Sequence, residues 1–353
     1  VGAFGANPAM TLQLNRLFRA RFDPEEGERE DRFGSLLKKT KTAVESYNTG
    51  HRHLDEVRRR IYETALVFVR FTLKTNFFVP EKHALAFRLD PAFLRELGEE
   101  FTSDLPAGEP FRVTFFMGRH GMGYHIGFAD IARGGWRTIV STDEDDYNEN
   151  CETLFRETYV LAHTQHLKNK DIYEGGSKMV VVLDASDLQR RYLIHRLTSM
   201  QFSFASAFFD LFAQSGEKPC HARVIDYHGE EEAIELGPDE NMHDAMVERI
   251  AREGVKRGYL LGRGVMSSKK EGINHKEYGV TSEGVNVFLA AALRSVGIDP
   301  LEGEFTVKLT GGPDGDVAGN QLKILFRDYG ENAKVVGIAD GSGVAEDPDG
   351  LNW

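Results

Sequence analysis

The chain has 353 residues, 41% of them hydrophobic and 28% charged, with 43 Lys and Arg against 55 Asp and Glu for a formal net charge of -12. That acidic balance excludes nucleic acid and anionic membrane as main partners, since both repel it. The length suffices for two or three domains with real cores. Two cysteines, Cys151 and Cys220, give no disulfide framework. They fit a reducing compartment, the cytoplasm or, in a eukaryote, the mitochondrial matrix. No apolar run approaches the roughly 18 residues that span a bilayer. The first residue is Val1 and the last, Trp353, follows Asp347-Pro348-Asp349-Gly350. Both ends read as cuts through a longer polypeptide.

Residues 1–105 are expected to be mostly helical. Met10, Leu12, Leu14, Leu17 and Phe18 recur at near-helical spacing, and Leu54, Val57, Ile61, Ala65 and Val69 continue it in a longer helix with Arg58, Arg59 and Arg60 on its wet side. The charged stretch Asp23 to Arg32 reads as a solvated loop. Pro80 and Pro91 frame a short extended segment. Phe111 to Met117 and Tyr124 to Phe128 read as strands around a glycine-rich turn. Asn148 to Lys168 reads as a helix, Lys178 to Leu183 as a β-branched strand, and Asp187 to Gln214 as a long helix whose Phe stripe packs a core. Further helices are expected at Asn241 to Val255 and Ser282 to Val296. Beyond Gly297-Ile298-Asp299-Pro300, a strand at Phe305 to Leu309, a helix at Val317 to Phe326 and a strand at Val335 to Ala339 make a βαβ unit. The expected class is α/β: a helical N-terminal region (1–105), a substrate-binding domain with a mixed sheet (106–300) and the start of a Rossmann-type domain (301–353).

Three constellations carry chemistry. Between the strand at 305 and the helix at 317 lies Thr310-Gly311-Gly312-Pro313-Asp314-Gly315-Asp316-Val317. A glycine turn there admits a pyrophosphate, and the amides of a helix N-terminus hold its charge. Asp340, ending the next strand, accepts hydrogen bonds from a ribose diol and repels a 2′-phosphate, which favours NAD over NADP. The plainer reading is an Asx-capped turn in some other α/β domain. The second constellation is an anion pocket. Gln165 and Lys168 share one helical face, and an amide beside an ammonium can bind one carboxylate. Lys168 equally complements the dipole of a helix C-terminus. Lys178 follows Gly175-Gly176-Ser177 and opens an apolar strand, where a lysine is expensive unless it is used. Arg133 and Arg137 flank Gly134-Gly135, and one of them could be purely structural. Third, Asp239 in Gly237-Pro238-Asp239-Glu240-Asn241 is either a helix N-cap or an acid/base group opposite Lys178. No metal is expected.

At these residues the sequence resembles the glutamate dehydrogenases of the Glu/Leu/Phe/Val dehydrogenase superfamily, most of all the large NAD-specific class. The resemblance is carried by Arg133-Gly134-Gly135-Trp136-Arg137, Gln165-His166-Leu167-Lys168-Asn169, Gly175-Gly176-Ser177-Lys178 and Pro238-Asp239-Glu240. Lys276 to Ser282 and Gly311 to Asn320 extend it. It departs from the family at Met179-Val180, where glycines usually follow the lysine, and at Arg133, where smaller enzymes have Lys.

The resemblance implies NAD-dependent oxidative deamination of L-glutamate to 2-oxoglutarate and ammonia. Lys178 and Asp239 would be catalytic, the lysine stabilising charge on the 2-oxo or carbinolamine oxygen and the aspartate relaying protons. Gln165 and Lys168 would hold the α-carboxylate. Arg133, with Gly134, would meet the side-chain carboxylate. Thr281, Gly312, Gly315, Asp316, Val317 and Asp340 would hold NAD. A homo-oligomer is implied too. With so little of the cofactor domain present, the chain as given is expected to be inactive. A non-catalytic assembly module with a decayed dehydrogenase fold, or a dehydrogenase for another L-amino acid, stays open.

Overall fold

A computed structural model describes residues 2–168, 174–266 and 278–352. The chain forms two compact units, Val1–Ser268 and Lys269–Trp353.

The first unit opens with helices α1 (Gly2–Ala6), α2 (Pro8–Phe22), α3 (Arg29–Glu45) and α4 (Arg52–Phe71). Asn7 caps α2, its Oδ1 accepting the Met10 amide at 3.0 Å, with Pro8 at the first helical position. Met10, Leu14 and Leu17 pack on Tyr62, Leu66 and Val69 of α4. The inner stripe of α4 is the expected one only toward its C-terminal end. Val69 is buried and Ala65 packs against the core, but Leu54, Val57 and Ile61 are exposed, and Tyr62 and Leu66 take their place. Helix α3 begins within the stretch expected to be loop. Asp23 of that stretch is buried, and its Oδ1 accepts the Glu25 amide at 3.1 Å.

A seven-stranded sheet follows, ordered β1-β2-β3-β4-β6-β5-β7. Its strands are β1 (Thr72–Thr75), β2 (Leu85–Leu89), β3 (Arg112–Gly118), β4 (Gly121–Gly127), β5 (Ala132–Ser141), β6 (Ser177–Asp184) and β7 (Ile234–Pro238). Two short helices, α5 (Phe93–Leu97) and α6 (Glu99–Thr102), lie between β2 and β3. Pairing is antiparallel from β1 through β4 to β6, and parallel from β6 to β5 to β7. Helix α7 (Glu144–His166) crosses between the parallel strands β5 and β6. Its Leu154 packs on Val180 and Val182 of β6. The opposite face of β6, Met179, Val181 and Leu183, meets α8 (Leu193–Phe212) and α9 (Asp244–Lys256). The Phe stripe of α8 is core there: Phe204, Phe208, Phe209 and Phe212 are buried. Because β1 and β2 belong to this sheet, the first hundred residues are not a unit apart.

The second unit contains α10 (Val280–Ser295), β8 (Phe305–Thr310), α11 (Asp316–Tyr329), β9 (Ala333–Asp340) and β10 (Gly343–Glu346). Strands β8 and β9 are parallel and β10 pairs antiparallel with β9. Leu289 and Leu293 of α10 pack with Phe305, Leu322 and Leu325. That apolar face draws α10 into the second unit, so the chain divides after residue 268 rather than at 300. The expected βαβ order is present, with β10 added as a hairpin.

Candidate functional site

Parallel register sets Trp136 opposite Met179 and Gly135 opposite Gly237. Side chains alternate across each strand, so Arg133, Gly135 and Arg137 of β5 share one face with Lys178 of β6 and Glu235 of β7. On that face Lys178 Nζ forms an ion pair with Asp239 Oδ2. The Lys178 side chain is only 16% exposed, that of Asp239 42%. Asp239 is not a helix cap: it follows β7, its amide donating to Trp136 O at 3.2 Å, while the cap of α9 is His243. Burial alone would raise the Asp239 pKa. The hydrogen bond and charge of Lys178, the Glu240 amide and Arg137 outweigh it, and the carboxyl titrates below its usual range. It is a carboxylate at neutral pH, in contact with an ammonium.

Glycines make this contact possible. A Cβ on Gly135 would lie 2.7 Å from Asp239 Oδ2, and one on Gly134 would strike Ser177 O at 1.7 Å. We expect Gly135→Ala to displace Asp239 from Lys178. Turnover should fall about tenfold or more, because the obstacle is a movable side-chain end rather than backbone. Thermal melting should stay near that of the parent, and unchanged turnover would contradict the role of the pair. Gly175 and Gly176 adopt φ of 69° and 65°, a region that glycine enters without penalty. A Cβ at Gly175 would meet Ile131 O at 1.7 Å and one at Gly176 would meet His166 Cα at 2.3 Å. These two glycines seat the end of α7 against the start of β6.

Arg133 and Gln165 are brought together by a residue that the sequence reading passed over. Glu174 is buried, 8% exposed. It accepts from Arg133 Nη1 at 2.8 Å and from Gln165 Nε2 at 2.6 Å. Arg133 Nε also lies 3.3 Å from Glu235 Oε1. In the sequence Glu174 immediately precedes the glycine pair and Glu235 alternates with Ile234 and Leu236, but neither position marks its acid until the fold sets it against Arg133. Arg137 pairs with Glu157 at 2.5 Å and with Glu240 at 2.7 Å, the structural role left open for it. Lys168 is exposed beyond the end of α7, and among the described residues its ammonium meets neither cluster. Asn169 lies outside the described residues. Cys220 is buried, which pushes its thiol up to about 11 and makes it an inert packed side chain.

In the second unit the turn between β8 and α11 is built from close approaches. Gly311 and Gly312 have φ of 112° and 64°. A Cβ at Gly315 would strike Gly311 O at 2.2 Å, and one at Gly319 would strike Pro313 O at 2.2 Å. The helix start is thus pressed onto the turn, with Asp316 and Val317 in its first residues. Asp340 Oδ1 accepts the Ser342 and Gly343 amides at 2.7 and 3.2 Å. Its Oδ2 would sit 2.4 Å from a Cβ at Gly312. An acid over the first glycines and bare amides at the helix start fit the ribose and pyrophosphate of a dinucleotide. Thr281 is exposed at the start of α10. Of the Lys276 to Ser282 segment, Lys276 and Glu277 lie outside the described residues.

Strand, glycine turn, helix, strand and terminal acid follow one another as in the opening of a Rossmann fold, and in the sequence they come after a mixed-sheet α/β unit that carries a lysine–aspartate pair. Residues 49–349 match the family described as bacterial NAD-glutamate dehydrogenase, catalytic domain. The chain is 36% identical over 301 residues to glutamate dehydrogenase 2 of Dictyostelium discoideum, covering 84% of this chain and 26% of that protein. It is 35% identical over 289 residues to the NAD-specific glutamate dehydrogenase of Neurospora crassa, covering 81% of this chain and 25% of that protein. Among solved structures, Plasmodium falciparum glutamate dehydrogenase aligns with 94% of this chain and 60% of its own, at 16% identity and a TM-score of 0.45. The chain belongs to the bacterial NAD-glutamate dehydrogenase catalytic-domain family. It spans about a quarter of the length of the curated relatives it matches.

Proposed function

We propose that this chain supplies the substrate site and the opening of the cofactor site for NAD-dependent oxidative deamination of L-glutamate. The observation that carries this reading is the Lys178–Asp239 contact on one sheet face, with Arg133 two residues along β5 from the glycine beneath it. The overall change converts L-glutamate, NAD⁺ and water to 2-oxoglutarate, ammonium, NADH and a proton. Gly312, Gly315, Asp316 and Val317 of the turn, with Asp340 and Thr281, would hold NAD, which when bound would supply the hydride acceptor for the substrate Cα. The chain's own residues handle the rest. Asp239, already ionised, takes a proton from the substrate ammonium so that the nitrogen lone pair can form the imine. It releases that proton to solvent, takes one from the water that adds to the imine carbon and passes it to the departing amine. Lys178 donates a hydrogen bond to the oxygen as charge develops there. Gln165 and Lys168 would hold the α-carboxylate, which requires the exposed Lys168 side chain to turn toward the Lys178–Asp239 face and Gln165 to release Glu174.

The test is NADH absorbance when L-glutamate and NAD are given to the natural polypeptide that contains this sequence. Glutamate-dependent growth of the signal, with ammonia released, is expected; its absence overturns the reading. A reducing compartment and a homo-oligomeric assembly belong to the same proposal.

One observation favours a dehydrogenase for another L-amino acid. Arg133 already carries Glu174 and Glu235, so a substrate side-chain carboxylate must compete with two resident ones. Arg133→Leu separates the two readings. If Arg133 meets the glutamate side chain, the variant should lose about 10- to 100-fold in kcat/KM for glutamate relative to apolar amino acids. Unchanged selectivity across a substrate panel would favour the second.

A further inference from the structure

At the end of β6 opposite Lys178, a cavity of about 520 Å³ opens between the β3–β4 turn and the start of α8. That volume suits a small ligand. Strand β6 runs eight residues from Ser177 to Asp184, so the cavity lies roughly 20 Å from the lysine–aspartate pair at about 3.3 Å per residue.

Its walls gather two guanidiniums and three imidazoles; burial, Arg196 and Arg119 lower the His120 pKa, so that ring serves as a neutral donor, and Asp187 and Asp184 lie near it. Arg119 and His120 come from the turn, His195 and Arg196 from α8, and His83 from the other side. The turn is held over the cavity by two glycines. A Cβ on Gly118 would meet the Phe204 ring at 2.7 Å, and one on Gly121 would meet Val182 O at 2.3 Å and Met200 Sδ at 2.8 Å. The close docking therefore aims the two residues between them at the opening. Arg196 is fixed by Asp187 and by Asp184 O, the latter at 3.1 Å. The carboxylate of Asp184 is taken by Ser186. Arg119 and the His195 ring have no ion-pair or hydrogen-bond partner among the described residues. Leu188, Met200 and the exposed Tyr192 ring add an apolar wall.

We propose that this cavity binds a phosphate monoester or pyrophosphate group, at a site separate from Lys178 and from the glycine turn. Donors arrive from the turn on one side and from α8 on the other. A tetrahedral dianion with three free oxygens satisfies such diverging donors, whereas a planar carboxylate satisfies two from one direction.

Titration calorimetry of the 353-residue chain with inorganic pyrophosphate tests the proposal. Saturable one-to-one binding is expected. Arg119→Ala combined with His195→Ala should weaken it about tenfold or more, since two charge-assisted contacts are lost. Both side chains are exposed, so thermal melting should not change. Arg119→Lys, which keeps the charge and loses the fork, should bind with intermediate strength and serves as the reading if the double variant melts early. Succinate should bind at least about tenfold more weakly than pyrophosphate. Absence of saturation overturns the proposal. So does equal binding of succinate, or affinity unchanged by the substitutions, which would place pyrophosphate elsewhere, as on the glycine turn.

Discussion

Lys178→Ala is expected to lower kcat/KM for glutamate by about 100- to 10,000-fold, the range over which positioned proton and oxyanion partners act. The ammonium sits at the start of β6 with its side chain only 16% exposed, in contact with Asp239. Among the described residues no neighbouring cation substitutes for it: Arg137 is committed to Glu157 and Glu240, and Arg133 to Glu174 and Glu235. Removing the ammonium leaves a carboxylate whose side chain is 42% exposed. Water solvates that charge, so the stability change should stay within about 1 kcal/mol. Activity and melting thus separate. The measurement is NADH formation by the natural polypeptide alongside a thermal melt. Near-normal turnover would refute the assignment. If the two groups act as a unit, adding Asp239→Asn to Lys178→Ala should lower turnover little further.

Long elements were legible in the sequence because period and composition agree over many residues. Helices α7 and α8, strand β6 and the β8–α11–β9 unit fall close to where they were expected. Short or mixed elements were not. Strand β5 was hidden by Gly134-Gly135, which weaken strand propensity yet are required by Ser177 O and the Asp239 side chain. Strand β7 was hidden because Pro238-Asp239 reads locally as a helix start. The stripe 54, 57, 61 on α4 shows the limit of periodicity: it finds an apolar face, and tertiary packing decides which face is buried. Among site residues, glycine-flanked cations stood out in the chain. Glu174 and Glu235 did not, because a carboxylate among 55 acids becomes distinctive only when a fold sets it against Arg133.

Glu232→Gln should destabilise the first unit by about 3–5 kcal/mol, the range for breaking a buried ion pair on one side. Glu232 is 3% exposed. Three cations from β1, β2 and β3 close on it: Lys74 Nζ at 3.3 Å, Arg88 Nη2 at 2.9 Å and Arg112 Nε at 3.2 Å. Without its charge these side chains, each 1% exposed or less, keep backbone carbonyls at Leu89, Phe111, Ala233 and Asp130 and, among the described residues, one carboxylate within ion-pair distance, Asp226 at 4.0 Å from Lys74. Burial pushes the Glu232 pKa up, but the cations overcome it and hold it down to about 2. A depressed carboxyl stabilises the fold fully above its unfolded value near 4.5, and that stability is lost as pH falls toward about 2. His125 adds an earlier stage. It is buried with neither ring nitrogen partnered among the described residues, and burial together with Arg112 holds it down to about 3. Neutral in the fold and ordinary when unfolded, it lowers stability as pH drops from about 6.5 toward about 3. Urea unfolding at pH 7, 5 and 3 should show a progressive fall in the parent. In Glu232→Gln the loss below about 4.5 should shrink by the share that Glu232 contributes, while the His125 stage and that of other depressed carboxyls such as Asp239 remain. A variant within about 1 kcal/mol of the parent at pH 7 would show that the three cations find other compensation.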